Sequence, residues 1–590
     1  MKKLLFSCLL AAGVLSAGEH FKEKGFLLDT NLLPASKLPQ VEALAARAAK
    51  AGYNTVYLSD YKFGIPWKYG DVYIRNVQKA VAVLRKHHFK LVTGCIPIGD
   101  CCAYLSDAPE LAESLKVVNE PYIIKKGIFT PEEMLKNGSF EQGTKEWRLD
   151  PNMDISIDST VAASGKSSIH FKITGKESSR QARIWYSLQT APFQQLELTF
   201  KVKTKNMKGK GPTHGISAAL VANAPGTPDG FRYLSHRIRT VMNKKTLKST
   251  NDWQEYKIVF NTFEYSTVSI ALGCWGRVSG EFWIDDVKVK PASFLNVTRR
   301  QGVGVKVTSA DGKVVYTEGK DYEKIVDPKA GRNRWTGDFS DAQNSPQIKI
   351  LPGSRIKEGS KVLASYYHAA LSQNFACICI NNPATKKYIT RAIEWQQKYV
   401  KPDGILIGID EHRAYGYDPE CEKSGLTAGQ ALNMIAKYSV NEIKRIAPQA
   451  QIYMWNDMFD PFANCVPGRY YYMIKGKDAL RNSWLGLPKE IIILRWSPVD
   501  HKKNHAAVKG SMDHWSKLGL KFIEFPGYFD EAQFNPLTEG LLDMARKNPH
   551  CVGTAFGQFS GINGYKPHFE TFLKAVEKAV KKGTVPGKGR

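Results

Sequence analysis

Beyond its first residues the chain lacks any apolar run of the roughly 18 residues that a membrane-spanning helix needs. Its longest apolar run, residues 4–15, is shorter than that. It follows Lys2 and Lys3 and leads into the small residues Ser16, Ala17 and Gly18. A charged start, a short apolar run and a small-residue exit are typical of a secretory signal peptide. We therefore expect residues 1–18 to be a signal peptide and the protein to be periplasmic or extracellular, with no membrane span.

The sequence also lacks the paired Cys-x-x-Cys spacing of zinc modules, so the sequence does not predict a zinc site. Ten cysteines are present, and one of them, Cys8, lies in the expected signal peptide. The odd number that remains excludes complete pairing within one chain. Neighbours such as Cys101 and Cys102 are too close for a relaxed mutual disulfide. We expect mostly buried thiols, with room for one long-range bridge.

Dense basic tracts are missing too, although 83 basic against 56 acidic residues give a formal net charge of +27. The basic residues are scattered, and their clusters are as short as Lys578, Lys581 and Lys582. A nucleic-acid partner is therefore the least favoured interpretation. The charge fits either a solvated basic surface or long-range attraction to an anionic host or environmental polysaccharide.

Two periods of hydrophobicity alternate from residue 25 onwards and again after residue 375. Short apolar runs typical of buried parallel strands occur at 25–29, 54–58, 90–94, 404–409, 451–455, 491–496, 521–525 and 552–557. Amphipathic segments typical of helices separate them. Eight strands close a barrel, so we expect a (β/α)₈ barrel. A further apolar run, 362–367, would be a ninth strand, and we assign it to the inserted module or to an extension of strand three.

The helical period disappears between the two halves of this barrel. Short alternating segments from 129 to 292 predict an inserted β-sandwich, and 293–360 predicts a small β-rich connector. The expected organisation is thus a first barrel part at 19–128, the sandwich, the connector, and a second barrel part at 361–590 with the catalytic residues.

Carboxylates and aromatic residues recur where the later strands end, and the active site of such barrels lies at that end. Acids supply proton transfer, and indole or phenol rings pack on the apolar face of a sugar. The chemistry therefore favours a carbohydrate site. The side chains concerned are Asp410, Glu411, Arg413, Trp455, Asp457, Trp496, Glu524, Tyr528, Asp530 and Gln558.

Three of these motifs resemble glycoside hydrolase family 20, the β-N-acetylhexosaminidases. They are Asp410-Glu411 after strand four, Trp455-Asn-Asp457 after a proline-containing turn, and Tyr528-Phe-Asp530. The segment 25–29 followed by 51–54 is also similar. The chain departs from the family at Leu406-Ile-Gly-Ile, where the family has His-x-Gly-Gly, and at Lys24, where the family has a sugar-binding Arg.

The resemblance implies substrate-assisted catalysis, in which the 2-acetamido oxygen of the substrate attacks the anomeric carbon. Asp410 would orient the acetamido nitrogen, Glu411 would protonate the leaving oxygen, and Tyr528 would bind the acetamido oxygen. The catalysis itself would need no cofactor. The remaining substrate-binding residues would be Lys24, Asp29, Arg413, Trp455, Asp457, Trp496, Glu524, Asp530 and Gln558.

Other interpretations stay open. Glu411 and Glu524 occupy the places of an acid/base and a nucleophile in two-carboxylate retaining barrels, which act on plain hexosides. Asp410 and Glu411 would instead be structural if they were ion-paired to Arg413 or Lys24. A non-catalytic glycan-binding protein on the same barrel is a third interpretation.

The inserted module resembles the carbohydrate-binding sandwiches that are appended to many glycosidases. Its opening Asn137-Gly-Ser-Phe-Glu141 and its late Trp283-Ile-Asp-Asp286 carry the resemblance. In such modules the opening Glu and the late Asp help to hold a structural calcium, so Glu141 and Asp286 are the expected ligands. The module either binds glycan or is purely architectural.

Overall fold

The structure is a computed structural model, and it describes most of the chain. The described residues are 21–99, 102–174, 180–210, 213–223, 231–234, 247–331, 339, 343–372, 375–497, 504–526, 531–557, 570–572, 574, 575 and 578. The predicted signal peptide lies outside them. No helix within these ranges has the length and apolarity to cross a membrane.

The first part of the chain alternates strands with helices. The elements are β1 (Glu23–Asp29), α1 (Leu38–Lys50), β2 (Thr55–Ser59), α2 (Gly70–Lys86) and β3 (Lys90–Gly99). Helix α1 forms because its apolar residues recur at the spacing of one helical face. Val41, Leu44, Ala45 and Ala48 are all buried on that face. Gly52, at φ 87°, takes the left-handed conformation that follows the end of the helix.

Two antiparallel strands, β4 (Ser114–Lys125) and β5 (Ile128–Pro131), precede a β-sandwich. The strands of the sandwich are β6 (Trp147–Leu149), β7 (Ile155–Asp158), β8 (Ser168–Ile173), β9 (Ala182–Gln189), β10 (Gln195–Lys208), β11 (Ile216–Asn223), β12 (Phe231–Tyr233), β13 (Asn251–Asn261), β14 (Thr267–Cys274) and β15 (Ser279–Pro291). They form a sheet of order β13-β10-β15-β8-β7, which packs against a sheet of order β12-β11-β14-β9-β6.

A third antiparallel sheet joins segments from both sides of the sandwich. Its order is β17-β16-β18-β4-β5, with β16 (Lys306–Ser309), β17 (Val315–Tyr316) and β18 (Lys361–Ala369). Strand β18 contains the ninth apolar run and pairs with β4. Residues 114–128, which the sequence analysis assigns to the barrel, therefore belong to the same sheet as the connector. A short hairpin of β19 (Leu371–Ser372) and β20 (Phe375–Ala376) follows.

The rest of the chain completes the barrel. Its elements are α3 (Pro383–Tyr399), β21 (Gly404–Asp410), β22 (Ala414–Tyr415), α4 (Pro419–Ser424), α5 (Ala428–Ile446), β23 (Gln451–Trp455), β24 (Met473–Ile474), β25 (Ile491–Ser497), α6 (His505–Lys517), β26 (Lys521–Pro526), α7 (Glu531–Arg546) and β27 (Cys551–Phe556). The strands β1-β2-β3-β21-β23-β25-β26-β27 close in that order, and each pairs with its neighbours in parallel.

The eight predicted strands are confirmed, but the predicted (β/α)₈ fold class is wrong. No α-helix lies between β23 and the next barrel strand, β25. Residues 456–490, all described, form one 3₁₀ turn, the short strand β24 and irregular turns. The physical reason is local, because Pro461, Pro467, Gly468, Gly486 and Pro488 interrupt any helical period. Among the described residues the fold is a closed parallel barrel with incomplete helical cover, combined with three five-stranded antiparallel sheets.

The interior of the barrel defines which side chains reach the site. Leu27, Tyr57, Val92, Leu406, Tyr453, Leu494, Ile523, Phe525 and Ala555 form the inner core. Side chains alternate along a strand, so residues an even number of positions from these also face inward. We call the end where the strands finish the barrel mouth.

Candidate active site

Four side chains predicted for the site are in phase with the inner core and lie at the mouth. They are Asp29, Asp410, Trp455 and Trp496, each two or four residues beyond an inner-core residue of its strand. The Trp455 ring packs edge-on against Phe525, with centroids 5.1 Å apart. Trp496 is 37% exposed at the rim. The mouth therefore combines carboxyl groups with two indole rings.

Asp410 and Asp457 form a carboxyl pair at the centre of the mouth. Asp410 is open to solvent, yet the surrounding protein removes much of its hydration. This desolvation and the nearby Glu411 raise the pKa of Asp410 to about 6, while a hydrogen bond from Asp457 opposes the shift. Asp457 is buried, and desolvation followed by repulsion from Asp410 raises its pKa well above the usual value. The pair therefore shares a proton at neutral pH.

Glu411 lies beside this pair in a different environment. Its backbone N–H donates to Asp457 Oδ2 at 3.1 Å. Its carboxylate forms an ion pair with the guanidinium of Arg413, which is buried and lies over the Tyr472 ring. Glu411 has a φ of 44°, a strained conformation for a residue with a side chain. The geometry therefore places a carboxylate that is paired with a guanidinium next to a carboxyl group whose pKa is raised.

A tyrosine that the sequence analysis did not select also belongs to the site. The Tyr471 hydroxyl is buried and has no hydrogen-bond partner among the described residues. Burial, followed by the charges of Asp457 and Glu411, raises its pKa, so the hydroxyl keeps its proton. The run of three tyrosines at 470–472, in the irregular segment after strand five, was the available signal.

A second group of polar residues lies at the ends of β1 and β2. Asp60 and Lys62 form a fully buried ion pair with Nζ 2.7 Å from Oδ1. Desolvation raises the pKa of the neighbouring Asp29, and Lys62 partly offsets that shift. The sequence analysis missed Asp60 and Lys62 because no spacing rule marks them.

The site also includes a histidine with no visible partner. His412 follows Glu411 and is fully buried, and neither ring nitrogen has a hydrogen-bond partner within the described ranges. Burial lowers the pKa of His412 to about 4, so the ring is neutral at physiological pH.

Two predicted substrate-binding residues lie elsewhere. Lys24 is the second residue of β1, so it lies at the end of the barrel opposite the mouth. Glu524 is out of phase with the inner core and lies outside the barrel wall. It is fully buried in an ion pair with Arg495, whose Nε donates at 2.8 Å. Neither residue reaches the site, and the pairing of Glu411 with Glu524 as acid/base and nucleophile is not available.

The remaining predicted residues divide into two sets. Tyr528, Asp530 and Gln558 lie outside the described residues. In the sandwich, Glu141 Oε1 accepts from the backbone N–H groups of Lys166 and Ser167. Asp286 is instead ion-paired to Lys201 and Lys288. Asp285 Oδ2 accepts from the backbone N–H groups of Ala163 and Ser164, which lie just before those that bind Glu141. The expected calcium ligands Glu141 and Asp286 stay a prediction, and Asp285 is a further carboxylate near Glu141.

Comparison with known proteins leaves the family open. Neither a protein-family model nor a curated protein matches the chain. Among solved structures, a rhamnosidase from Novosphingobium sp. PP1Y aligns over 96% of this chain and 59% of its own, with 7% identity and a TM-score of 0.35.

Two carbohydrate-binding modules align with a smaller part of the chain. A xylan-binding domain from Paenibacillus barcinonensis covers 27% of this chain and 95% of its own, with 13% identity and a TM-score of 0.20. A module in complex with β-1,4-galactotriose covers 27% and 97%, with 18% identity and a TM-score of 0.19. At TM-scores this low, none of the three alignments carries an argument about the function of this chain.

Proposed function

We propose that the protein is an exported glycoside hydrolase whose active site is the barrel mouth. The observation that carries the proposal is the contrast between neighbouring carboxyl groups. Asp410 has a pKa of about 6 beside the buried Asp457, whereas Glu411 is ion-paired to Arg413. Hydrolysis of a glycosidic bond needs both states, a proton for the leaving oxygen and a negative charge near the anomeric centre.

The family resemblance gives the role of acid to Glu411 and the binding of the acetamido nitrogen to Asp410. Because the environments of the two side chains differ, we propose the opposite assignment. Asp410 is the general acid, since its raised pKa lets it retain a proton near the working pH. Glu411 is the ionised group, because the Arg413 guanidinium stabilises its charge. In this role Asp410 holds the proton that it shares with Asp457. Trp455 and Trp496 supply ring faces for the sugar.

For the substrate we propose terminal N-acetylhexosamine residues. The support is the resemblance carried by Asp410-Glu411 and Trp455-Asn-Asp457, two motifs that the fold brings together at the mouth. The acetamido oxygen of the substrate attacks the anomeric carbon, Glu411 accepts the acetamido N–H, and Asp410 protonates the departing oxygen. Tyr471, whose hydroxyl lacks a partner among the described residues, would donate to the acetamido oxygen, the role that the resemblance gives to Tyr528.

A panel of aryl glycosides with and without the 2-acetamido group tests this proposal. We expect the wild-type protein to cleave the acetamido substrates and Tyr471→Phe to lower kcat about tenfold or more, because one transition-state hydrogen bond is lost. Equal cleavage of plain hexosides would refute the substrate class but not the site. Absence of turnover on every glycoside would refute the catalytic proposal and favour a glycan-binding protein, which a glycan array would detect.

A further inference from the structure

A buried cluster of thiols and carboxylates lies at the junction of the barrel with the inserted sheets. Cys379 precedes α3, Cys421 lies in α4, and Glu113 immediately precedes β4. All three are buried, and their ligand atoms lie within 4.8 Å of one another. Cys379 belongs to a second such group with Asp418 and Glu420. The proposed catalysis uses none of these residues.

The distances within the cluster match the edges of a tetrahedral zinc site. With Zn–S bonds of about 2.3 Å and Zn–O bonds of about 2.0 Å, two thiolates lie about 3.8 Å apart and a thiolate and an oxygen about 3.5 Å apart. In the structure the two sulfur atoms are 3.7 Å apart, and Cys421 Sγ is 3.2 Å from Glu113 Oε2. Two of the three distances thus match those around one small ion, and the third, from Cys379 Sγ to Glu113, is within 4.8 Å.

Glu113 is oriented for this role by the backbone. Its Oε1 accepts from the N–H groups of Gly416, Tyr417 and Asp418 at 2.8 to 3.1 Å. The other oxygen, Oε2, is therefore directed at the thiols. Such second-shell hydrogen bonds orient a ligating carboxylate.

Around the cluster, acidic side chains outnumber basic ones, and a bound cation would balance their charge. Glu113, Asp418 and Glu420 contribute three carboxylates, and the ion pairs within the described residues supply one guanidinium, that of Arg300, which contacts Asp418 and Glu420. Asp418 is further occupied by Ser114, whereas Glu420 is shared less tightly, 3.3 Å from Arg300. Burial of excess negative charge is costly unless a cation compensates for it.

We propose that Cys379, Cys421 and Glu113 bind a structural Zn²⁺ ion, and that Glu420, which lies close to Cys379, turns towards the ion as the fourth ligand. The ion would connect the segment before the sandwich to the loop that follows Asp410 and Glu411, and so fix that loop relative to the barrel. Binding displaces the two thiol protons to solvent and changes no oxidation state.

Metal analysis of the full-length protein tests the proposal. After incubation with zinc and dialysis, we expect about one Zn²⁺ per chain, and a thiolate-to-metal charge-transfer band when Co²⁺ replaces it. Cys379→Ser and Cys421→Ser should each lose the metal. The matched control Cys274→Ser, a buried cysteine of the sandwich core, should keep it. Chelation of the wild-type metal should lower the unfolding temperature.

Two results would overturn the zinc site. One is a folded wild-type protein that retains no zinc or cobalt. The other is a Cys379–Cys421 disulfide, detected by peptide mapping in metal-incubated protein. The cobalt spectrum of the wild type decides the matter even where the serine variants do not fold.

Discussion

Asp410, Glu411 and Asp457 carry the same functional group in three different environments. Asp410 has lost part of its hydration, Glu411 has gained a guanidinium, and Asp457 is buried against another carboxyl group. In the proposed mechanism these contacts, and not the residue types, decide which carboxyl group gives a proton and which carries the negative charge. The adjacent Asp-Glu pair is visible in the sequence, but the partner of each acid depends on the folded loops.

The cost of this arrangement is measurable with Asp457→Asn. Folding raises the pKa of Asp457 above its unfolded value near 3.8, so the folded state holds a proton that the unfolded chain releases as pH rises. Stability is therefore lost above about pH 4. The amide needs no proton and still donates to Asp410, so we expect a gain of about 1 to 3 kcal/mol at about pH 7.

Chemical denaturation of both proteins at two pH values checks this expectation. The gain should vanish near pH 3, where the unfolded aspartate is protonated as well. A gain of equal size at both pH values, or a loss at neutral pH, would mean that Asp457 is ionised in the folded protein.

Among the elements, strands were more predictable than the connections between them. All eight barrel strands lie within a few residues of their predicted positions, because a buried parallel strand is a short apolar run bounded by polar residues. The absence of a helix after β23 was not predicted from the number of strands. Eight strands imply eight helices only when every connecting segment has apolar residues at the spacing of a helix. The side chains of Lys24 and Glu524 were wrongly assigned to the site. A residue of a strand can lie at either end of the barrel and on either face of its wall.

Strand β3 contains the backbone contact that positions Asp410. Gly99 has a φ of 116°, and a Cβ there would lie 1.9 Å from the Asp410 carbonyl oxygen. We expect Gly99→Ala to displace the end of β21, to destabilise the protein by about 3 kcal/mol or more, and to reduce kcat of any folded fraction.

Gly94→Ala in the same strand is the matched control. Its Cβ would meet only Leu406 Cδ2, at an ordinary 3.8 Å. We expect this variant to lose less than about 1.5 kcal/mol and to keep its activity. Similar losses in both variants, measured by denaturation and by steady-state kinetics, would contradict the positioning role of Gly99.

In the molecule as a whole, the sandwich and the barrel are joined next to the proposed active site. The core of the sandwich extends to Ala414 and Met473 of the barrel loops. Arg232 of β12 donates to the backbone oxygen of Tyr472, whose ring lies under Arg413. The sequence could not predict these contacts, or the sheet that pairs β4 with β18, because they join segments far apart in the chain.

We therefore expect Arg232 to be a positioning residue that acts through Tyr472. We expect Arg232→Ala to lower kcat/KM between about 5- and 100-fold, because a small displacement of the catalytic groups lowers the rate of reaction strongly. The pH profile should keep its limb near 6, and Arg232→Lys should restore part of the rate. Arg148→Ala, an exposed arginine of the same module, should have no effect. Equal activity of the Arg232 and Arg148 variants would refute the coupling.

The central claim is that Asp410 provides the proton and Glu411 the negative charge. The most direct test compares Asp410→Asn and Glu411→Gln on aryl glycosides whose leaving groups range from poor to good. We predict that Asp410→Asn is nearly inactive on poor leaving groups but recovers on a good one, and loses the pH limb near 6, because such a group departs without a proton. Glu411→Gln should be impaired on every substrate. The opposite pattern, recovery in Glu411→Gln and uniform loss in Asp410→Asn, would contradict the assignment.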